Sequence, residues 1–413
     1  MDFRLDNSDA HAALRIKDFR WFIAARFSLT FAIQMQSVIV GWQIYQLTHD
    51  ALSLGLIGLA EAIPFISFSL FTGHVADVVS RKKIIVFSNF AYFLCAIALL
   101  LVSTQLHIIL DKHGVFPIYI IIFITGIARG FLSPAQGAYA AQLVPRELFG
   151  NASTWNSLIW QIAAVTGPAI GGLVYGFGGI GYAYTIVILL TAAGFVFFTF
   201  VSNKPLPERT PKESILQSLS NGLKFVFKNQ IIVSAITLDM FAVFFGGAVS
   251  VLPIFADQVL HAGAKGLGLL RAAPAVGAII MSIVQTHHPL FKNAGRNLLF
   301  CVFGFGISII SFAISKSIYV SLFVLMLSGM FDNVSVIMRS TIIQLYTPNE
   351  MRGRVSAVNG IFIGSSNELG SFESGVAAKL LGLIPSVIFG GSMTLIVVAA
   401  VRKLAPKLKK LKL

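Results

Sequence analysis

Long apolar runs alternate with short polar segments along almost the whole chain. A helix that crosses a membrane needs about 20 predominantly apolar residues, and twelve runs are close to that length. Several of them contain Gly and Pro, which membrane helices tolerate better than soluble helices do. The pattern therefore predicts an all-α membrane protein with twelve transmembrane helices. These cover residues 21–47, 52–76, 84–105, 116–143, 152–176, 182–202, 231–258, 266–286, 298–315, 318–346, 355–380 and 384–401.

The longest polar segment divides the chain into two parts of similar size. It covers residues 203–230 and separates an N-terminal half, 1–202, from a C-terminal half, 231–401. A simple tether and a short amphipathic helix over Ile215–Phe227 that lies on the membrane surface both fit this segment. A basic tail, 402–413, follows the last span and suits a contact with anionic lipid.

The composition favours a membrane protein over other classes. Apolar residues make up 56% of the chain and charged residues only 12%, about half the ~25% of an ordinary soluble domain. A disordered chain shows the opposite balance. Nucleic-acid binding would use the net charge of +14, but it does not account for the apolar bulk, so we expect no nucleic-acid partner.

The basic residues are distributed unequally between the two sides of the predicted membrane. Of the 31 lysines and arginines, 23 lie in the terminal segments and in every second loop, whereas four lie in the loops between them. Cytoplasmic segments of membrane proteins carry such an excess of Lys and Arg. We therefore expect both termini in the cytoplasm and an even number of spans.

An internal repeat relates the two halves. When the chain is shifted by 203 positions, seven residues around spans four and five fall on identical residues around spans ten and eleven. Duplicated six-helix halves are typical of secondary transporters, whose substrate site lies near the middle of the membrane where the halves meet. The repeat predicts two pseudo-symmetric six-helix bundles. The matching residues are Pro145 and Pro348, Glu147 and Glu350, Gly150 and Gly353, Ser153 and Ser356, Asn156 and Asn359, Gly167 and Gly370, and Gly172 and Gly375.

The loop between spans two and three resembles a motif of the major facilitator superfamily. Residues 73–83 read GHVADVVSRKK, and the superfamily pattern G-x-L-A-D-R-x-G-R-K-x matches at Gly73, Ala76, Asp77, Arg81 and Lys82, with departures at positions 78 and 80. The resemblance implies the major facilitator fold. An acidic group at the end of a helix can accept hydrogen bonds from a neighbouring helix N-terminus. We therefore expect Gly73, Asp77, Arg81 and Lys82 to form a conformational latch; a basic loop with one paired aspartate is the alternative.

A second motif lies in span five. Gly167, Pro168, Gly171 and Gly172 resemble the G-P-x-x-G-G motif of antiporters in this superfamily. Glycines allow helix backbones to approach closely, and the role in an antiporter is what the resemblance implies. Three further stretches resemble the enterobactin-exporter-like and macrolide-efflux-like branch: residues 35–43, 238–247 and 351–354.

Ionisable residues inside the spans are costly and usually mark transport pathways or their partners. Asp239 and Asp332 are our candidates for proton carriers, with Glu61 and Glu368 as weaker ones, because a carboxyl group can alternate between a desolvated state and a state next to arginine. The alternative is a static network of ion pairs that fixes the register of the helices. In total, nine ionisable residues lie inside the predicted spans: Arg26, Glu61, Arg129, Asp239, Arg271, Asp332, Arg339, Glu368 and Glu373.

Five polar side chains are candidates for lining the substrate cavity. The resemblance places spans one, four, seven and ten around that cavity. Lipid-facing amides are unfavourable, which favours an inward position for the two glutamines of span one. The candidates are Arg26, Gln34, Gln43, Arg129 and Arg339.

The absence of several catalytic and nucleotide-binding motifs argues against ATP-driven transport and hydrolysis. The chain lacks the G-x-x-x-x-G-K-[ST] loop of ATP-driven proteins and the H-E-x-x-H and G-x-S-x-G motifs of hydrolases. We expect neither an enzyme nor a cofactor, and we interpret His287 and His288 as a surface pair rather than a metal site. We expect no metal.

The resemblance implies a monomeric exporter in the bacterial inner membrane. It would move a small amphipathic molecule, such as a siderophore or a drug-like compound, in exchange for protons and by alternating access of the two halves. Import of the same class of molecule is one alternative. A transporter-like receptor that binds without flux is another.

Overall fold

The computed structural model describes residues 11–104, 112–205, 215–287, 293–348 and 351–411. The long elements in this part of the chain are helices, and most of them begin and end within a few residues of the predicted spans. They are α1 Lys17–Thr48, α2 Ala51–Val78, α3 Arg81–Thr104, α4 Phe116–Leu143, α5 Phe149–Thr199, α6 Ile215–Lys228, α7 Gln230–Gly246, α8 Gly263–His287, α9 Ala294–Ile314, α10 Ile318–Tyr346, α11 Arg352–Leu381 and α12 Leu383–Leu404, followed by the short α13 Pro406–Lys409.

Ten of these helical segments are long and apolar enough to cross a membrane. One of them, Arg146–Thr199, has 54 residues, far more than one crossing requires. It is interrupted at Gly179, whose φ of 76° and ψ of −175° are not helical and suit a residue without Cβ. α11 has 30 residues but carries polar side chains along much of its length, among them Glu368 and Glu373. With α5 counted as two spans and α11 included, the helices fit the predicted twelve.

The seventh predicted span is not one regular helix. α7 ends at Gly246, and short turns at Ala248–Val251, Leu252–Ile254 and Phe255–Val259 continue the chain. The last turn has the wider π-helical hydrogen-bond pattern. Irregular backbone at membrane depth is tolerated only where it is buried in protein or lines a cavity, and Val251, Leu252 and Phe255 are indeed buried.

The chain forms two compact units. The first consists of Met1–Val40 and Ile63–Lys212. Aromatic side chains of three helices meet in its core, where the ring of Phe22 lies 6.2 Å from that of Tyr139 and 5.9 Å from that of Phe198. Apolar packing cannot drive helices together in lipid as it does in water, so close side-chain and backbone contacts hold such a core.

The second unit consists of Gly41–Ala62 and Glu213–Leu413. The end of α1 and the start of α2 therefore belong with this unit, whereas the sequence repeat divides the chain at the linker. The two units are defined by contacts in the structure, whereas the two halves are defined by the sequence repeat. The division into two six-helix halves therefore stays a prediction.

Of the two alternatives for the linker, the structure has the helix, α6, over Ile215–Lys228. Val226 is buried in a cluster with Val355 and Val358 of α11. Gly222 lies so close to α11 that an added Cβ would be 3.1 Å from the carbonyl oxygen of Arg354. The opposite side of α6 carries exposed residues, and α6 is thus a surface helix attached to the start of α11.

Candidate transport site

A buried ion pair joins two helices of the second unit. The carboxylate of Asp239, on α7, pairs with the guanidinium group of Arg339, on α10. Only 7% of the Asp239 side chain and 5% of the Arg339 side chain are exposed. Each charge in such a pair needs the other, because an unpaired charge in an apolar interior is very unfavourable. Both residues were predicted as site residues, and the structure brings them together.

Asp332 lies near the middle of α10 and is half-buried. In the described part of the chain, its carboxylate has neither an ion-pair partner nor a hydrogen-bond donor. The next residue, Asn333, is tied to α8, since its Oδ1 accepts hydrogen bonds from Ser282 Oγ and Gln285 Nε2, both at 3.3 Å. Asp332 is therefore a carboxyl group inside a membrane helix without a compensating charge.

A polar stripe connects these two features. Ser328, Asp332, Ser335 and Arg339 are spaced by four, three and four residues on α10, so they share one helix face. Ser328 and Ser335 are buried, and within the described residues the hydroxyl group of Ser335 has no hydrogen-bond partner. The sequence predictions included the two charges of this face but not its two serines.

The weaker acidic candidates lie where α2 approaches α11 in the second unit. Glu368 and Arg271 are close enough to attract each other electrostatically. Gly58 is so close to α11 that an added Cβ would be 2.6 Å from the backbone oxygen of Glu368. Glu61 follows one turn after Gly58, and both Glu61 and Glu368 make further interactions. Neither resembles the unpaired state of Asp332.

Polar contacts that were not predicted from the sequence tie the end of α1 and the α1–α2 turn to other elements of this unit. Lys379 Nζ, on α11, donates a hydrogen bond to Asp50 Oδ1 at 2.7 Å. The Tyr45 hydroxyl donates to Asp257 Oδ2, also at 2.7 Å. Pairing between such distant segments leaves no trace in hydropathy, so no pattern in the sequence signals it.

The surroundings of Asp50 favour its charged form. Partial burial opposes ionisation, but hydrogen bonds from Lys379 and from the backbone N–H and hydroxyl group of Ser53 outweigh it. The pKa of Asp50 is therefore below its ordinary value of 3.8. The Asp50 carboxyl group is therefore ionised at neutral pH.

The first unit holds two of the predicted cavity arginines in different environments. Arg26 Nη1 donates a 2.8 Å hydrogen bond to Asn156 Oδ1 of α5. The guanidinium carbon of Arg129 lies 5.1 Å from the centre of the Phe65 ring, in a cation–π contact. Gln34 is half-buried in this unit, and Gln43, in the other unit, is buried.

The predicted latch residues contact their own unit where the structure describes them. Arg81 Nη1 donates to the carbonyl oxygen of Ala138 at 3.3 Å, and Lys82 Nζ donates to that of Thr199 at 3.0 Å. These bonds tie the start of α3 to α4 and α5. α2 runs through Gly73 and Asp77, but the side chains there lie outside the described part of the chain.

The glycine motif of α5 lies directly against α1. A Cβ added to Gly167 would be 2.7 Å from Gln34 Cβ, and one added to Gly171 would be 3.0 Å from Met35 Cγ. Pro168 and Gly172 are buried beside them. The motif allows two membrane helices to pack with their backbones in near contact.

The sequence of the chain matches a known protein family. The sequence profile of the family described as "Transmembrane secretion effector" matches residues 8–412. The chain belongs to this family. It is a membrane transporter of the major facilitator superfamily, and the resemblance predicted from the sequence motifs is confirmed.

Two enterobactin exporters are similar to this chain over nearly its full length. It is 28% identical over 397 residues to the enterobactin exporter EntS of Shigella dysenteriae serotype 1, with 92% of each chain covered. It is 27% identical over 394 residues to the enterobactin exporter EntS of Shigella flexneri, again with 92% of each covered.

Solved structures confirm the fold of this family member. A bacterial homologue of the iron transporter ferroportin in the inward-facing state matches with a TM-score of 0.70 at 16% identity, covering 96% of this chain and 99% of that one. A POT family transporter in complex with 5-aminolevulinic acid matches with a TM-score of 0.75 at 11% identity, covering 94% and 96%. The protein is a multi-pass integral membrane protein with this transporter fold.

Proposed function

We propose that this transporter exports a small amphipathic molecule, a siderophore or a drug-like compound, in exchange for protons. The observation that carries the proposal is the similarity to two enterobactin exporters over 92% of each chain. The family description, a secretion effector, points in the same direction. The buried charges of the second unit supply groups for the coupling.

The proposed location is the bacterial inner membrane, with both termini in the cytoplasm. The unequal distribution of basic residues supports this orientation, because 23 of 31 lie on one side of the predicted spans. In this orientation, the α1–α2 turn faces away from the cytoplasm.

Asp332 is our preferred proton carrier. An ionised carboxylate in the middle of a membrane helix is unfavourable without a partner, and Asp332 has none in the described part of the chain. Taking up a proton removes that penalty, and exposure to water allows the proton to leave. Ser335, one turn further along α10, has a buried hydroxyl group. A hydroxyl group both donates and accepts hydrogen bonds, so in our proposal Ser335 links Asp332 to the ion pair.

Asp239 is a weaker carrier because its carboxylate is already paired with Arg339. In our proposal, the pair anchors α7 to α10 and opens only if protonation or substrate binding replaces one partner. Glu61 and Glu368 stay weaker still, since both already interact with neighbours.

The proposed substrate-binding candidates are Arg26, Gln34 and Arg129 in the first unit and Gln43 and Arg339 in the second. Arg129 over Phe65 combines a cation with an aromatic face, which suits an amphipathic anion. Arginine forms planar, multidentate contacts with anionic groups. These groups would favour a siderophore with anionic oxygens over a cationic drug.

Alternating access requires contacts that form in one state and break in another. We propose that the Lys379–Asp50 bond at the α1–α2 turn and the Tyr45–Asp257 bond at the end of α1 belong to the state closed on that side. The Asp77 motif, with Gly73, Arg81 and Lys82, would act at the other side. The tightly packed Gly167–Gly172 motif would keep α1 and α5 together throughout.

The test of export uses a siderophore-producing host strain that lacks its own exporter. Expression of this chain should raise the secreted siderophore and lower the intracellular pool relative to an empty vector. A rise in the intracellular pool would instead indicate import. Binding of the siderophore to purified protein without any change in either pool would indicate a receptor.

A further inference from the structure

A groove on the second unit has an apolar lining and lies between α7 and α12. Its volume is about 310 Å³. At about 30 Å³ for a group the size of water, it accommodates roughly ten such groups, comparable to much of one acyl chain. Six of the residues that line it are Val233, Thr237, Phe241, Val397, Val401 and Leu404.

The groove is open to the surroundings of the helices. Ala400, which lines it, is exposed, and Leu404 at its end is 73% exposed. Ile396, one turn before Ala400, is 57% exposed. Large exposed apolar side chains along a membrane-spanning helix face lipid. A lipid chain can therefore enter the groove from the side.

Basic residues surround the end of the groove at Leu404. Arg402 and Lys403 are exposed at the end of α12, and Lys407, Lys409 and Lys410 are exposed in the tail that follows. The tail is fixed in place, because Leu408 and Leu411 are buried and the Gly295 N–H donates a 3.2 Å hydrogen bond to the Leu411 oxygen. Its lysines are thus presented on an ordered segment.

The linker helix brings further basic residues to the same place. Gln230, two residues after the end of α6, donates from Nε2 to the carbonyl oxygen of Leu404 at 3.1 Å. Lys228 and Lys224 of α6 are exposed, and the neighbouring Phe227 is 64% exposed. The sequence contains no Asp or Glu between residues 215 and 230 or after residue 399.

We propose that this composite surface binds an anionic phospholipid. One acyl chain lies in the α7–α12 groove, and the headgroup phosphate lies among Lys228, Lys403 and Lys407. Exposed apolar side chains beside lysines are the combination that holds a segment at the headgroup level of a bilayer. Since α6 is packed on the start of α11, the bound lipid would also lie next to the contact between the linker helix and α11.

The test uses native mass spectrometry of the purified full chain with phosphatidylglycerol and phosphatidylcholine that carry the same acyl chains. The wild type should retain phosphatidylglycerol at a concentration at least tenfold lower than phosphatidylcholine. The triple variant K228Q/K403Q/K407Q should lose this preference. The matched control, K83Q/K112Q/K316Q, removes three exposed lysines elsewhere and should keep it. Equal retention of the two lipids by the wild type, or a preference lost equally in both triple variants, would overturn the proposal.

Two further arms separate the groove from the headgroup and the lipid from free phosphate. Ala400→Phe fills the groove, keeps every charge and should reduce retention of the diacyl lipid at least fivefold; Thr237→Phe fills it from α7 if the first variant does not fold. Inorganic phosphate at tenfold excess over phosphatidylglycerol should not displace the lipid. Unchanged retention in the groove variant, or displacement by phosphate, would show that the site does not hold a lipid as proposed.

Discussion

Asp239 and Arg339 form a buried ion pair between α7 and α10. Exposed fractions of only 7% and 5% mean that water barely screens this pair. Asp332 lies on the same face of α10, seven residues before Arg339, and its carboxylate has no ion-pair or hydrogen-bond partner in the described part of the chain. The site thus contains one compensated and one uncompensated carboxylate, and we assign them different roles.

Breaking the pair from one side should be more damaging than removing it entirely. Arg339→Met leaves the Asp239 carboxylate buried and unpaired, and we expect a loss of about 3–5 kcal/mol in the free energy of unfolding. The double variant D239L/R339M replaces both charges by apolar side chains and should recover most of that loss. Denaturant unfolding of the detergent-purified protein measures both. A double variant no more stable than Arg339→Met would contradict a specific pairing.

The glycine motif should tolerate no side chain toward α1. Gly167→Val places atoms where Gln34 Cβ and the Phe31 carbonyl already lie, and we expect it to cost about 1–3 kcal/mol of stability. Gly137→Ala on α4 is the matched control, because an added Cβ there meets nothing within 4 Å, and alanine favours a helix by about 0.5–1 kcal/mol over glycine. The comparison uses thermal unfolding in one detergent. Equal melting temperatures for the two variants would refute the close-packing role.

The contribution of Asp50 should depend on pH in one direction. Its folded-state pKa is below its ordinary value of 3.8, so the pair with Lys379 contributes fully above about pH 4 and fades as the pH falls through the folded-state pKa. Asp50→Asn should therefore be less stable than the wild type at neutral pH, and the difference should shrink toward pH 3. Because the pair is partly exposed, we expect less than about 1 kcal/mol. A difference that grows on acidification would have the wrong sign.

The α1–α2 turn should move away from α11 during transport. In a D50C/K379C variant, a short cleavable thiol crosslinker should stop transport, and cleavage should restore it. The native Cys95 and Cys301 are buried, so they should contribute little background labelling. The single variants treated with the same reagent are the controls. Full transport in the crosslinked double variant would show that this contact need not open.

The sequence predicted the helices well because hydropathy is a local property. The predicted spans 116–143 and 318–346 coincide with α4 and α10, and the linker helix begins at the predicted Ile215. The break at Gly179 also falls between two predicted spans. The length of each apolar run and the glycines between the runs are sufficient for such predictions.

Contacts between helices were only partly predictable. The acids and arginines of the spans stood out against an apolar background, but the pairing of Arg339 with Asp239 rather than with Asp332 depends on how α7 and α10 face each other. The pair of Asp50 and Lys379 escaped notice because charged loop residues are ordinary. The dense packing at Gly167 was expected from the motif, whereas its partner Gln34 was not.

The most direct test of the central proposal measures siderophore accumulation in inside-out vesicles with an acidic lumen. The wild type should accumulate the siderophore while the proton gradient lasts, and Asp332→Asn should reduce gradient-driven accumulation at least tenfold at equal protein abundance. Asp18→Asn, which changes a carboxylate at the start of α1 that pairs with Lys204, should accumulate as the wild type does. Undiminished gradient-driven accumulation by Asp332→Asn, or none by the wild type, would contradict the account.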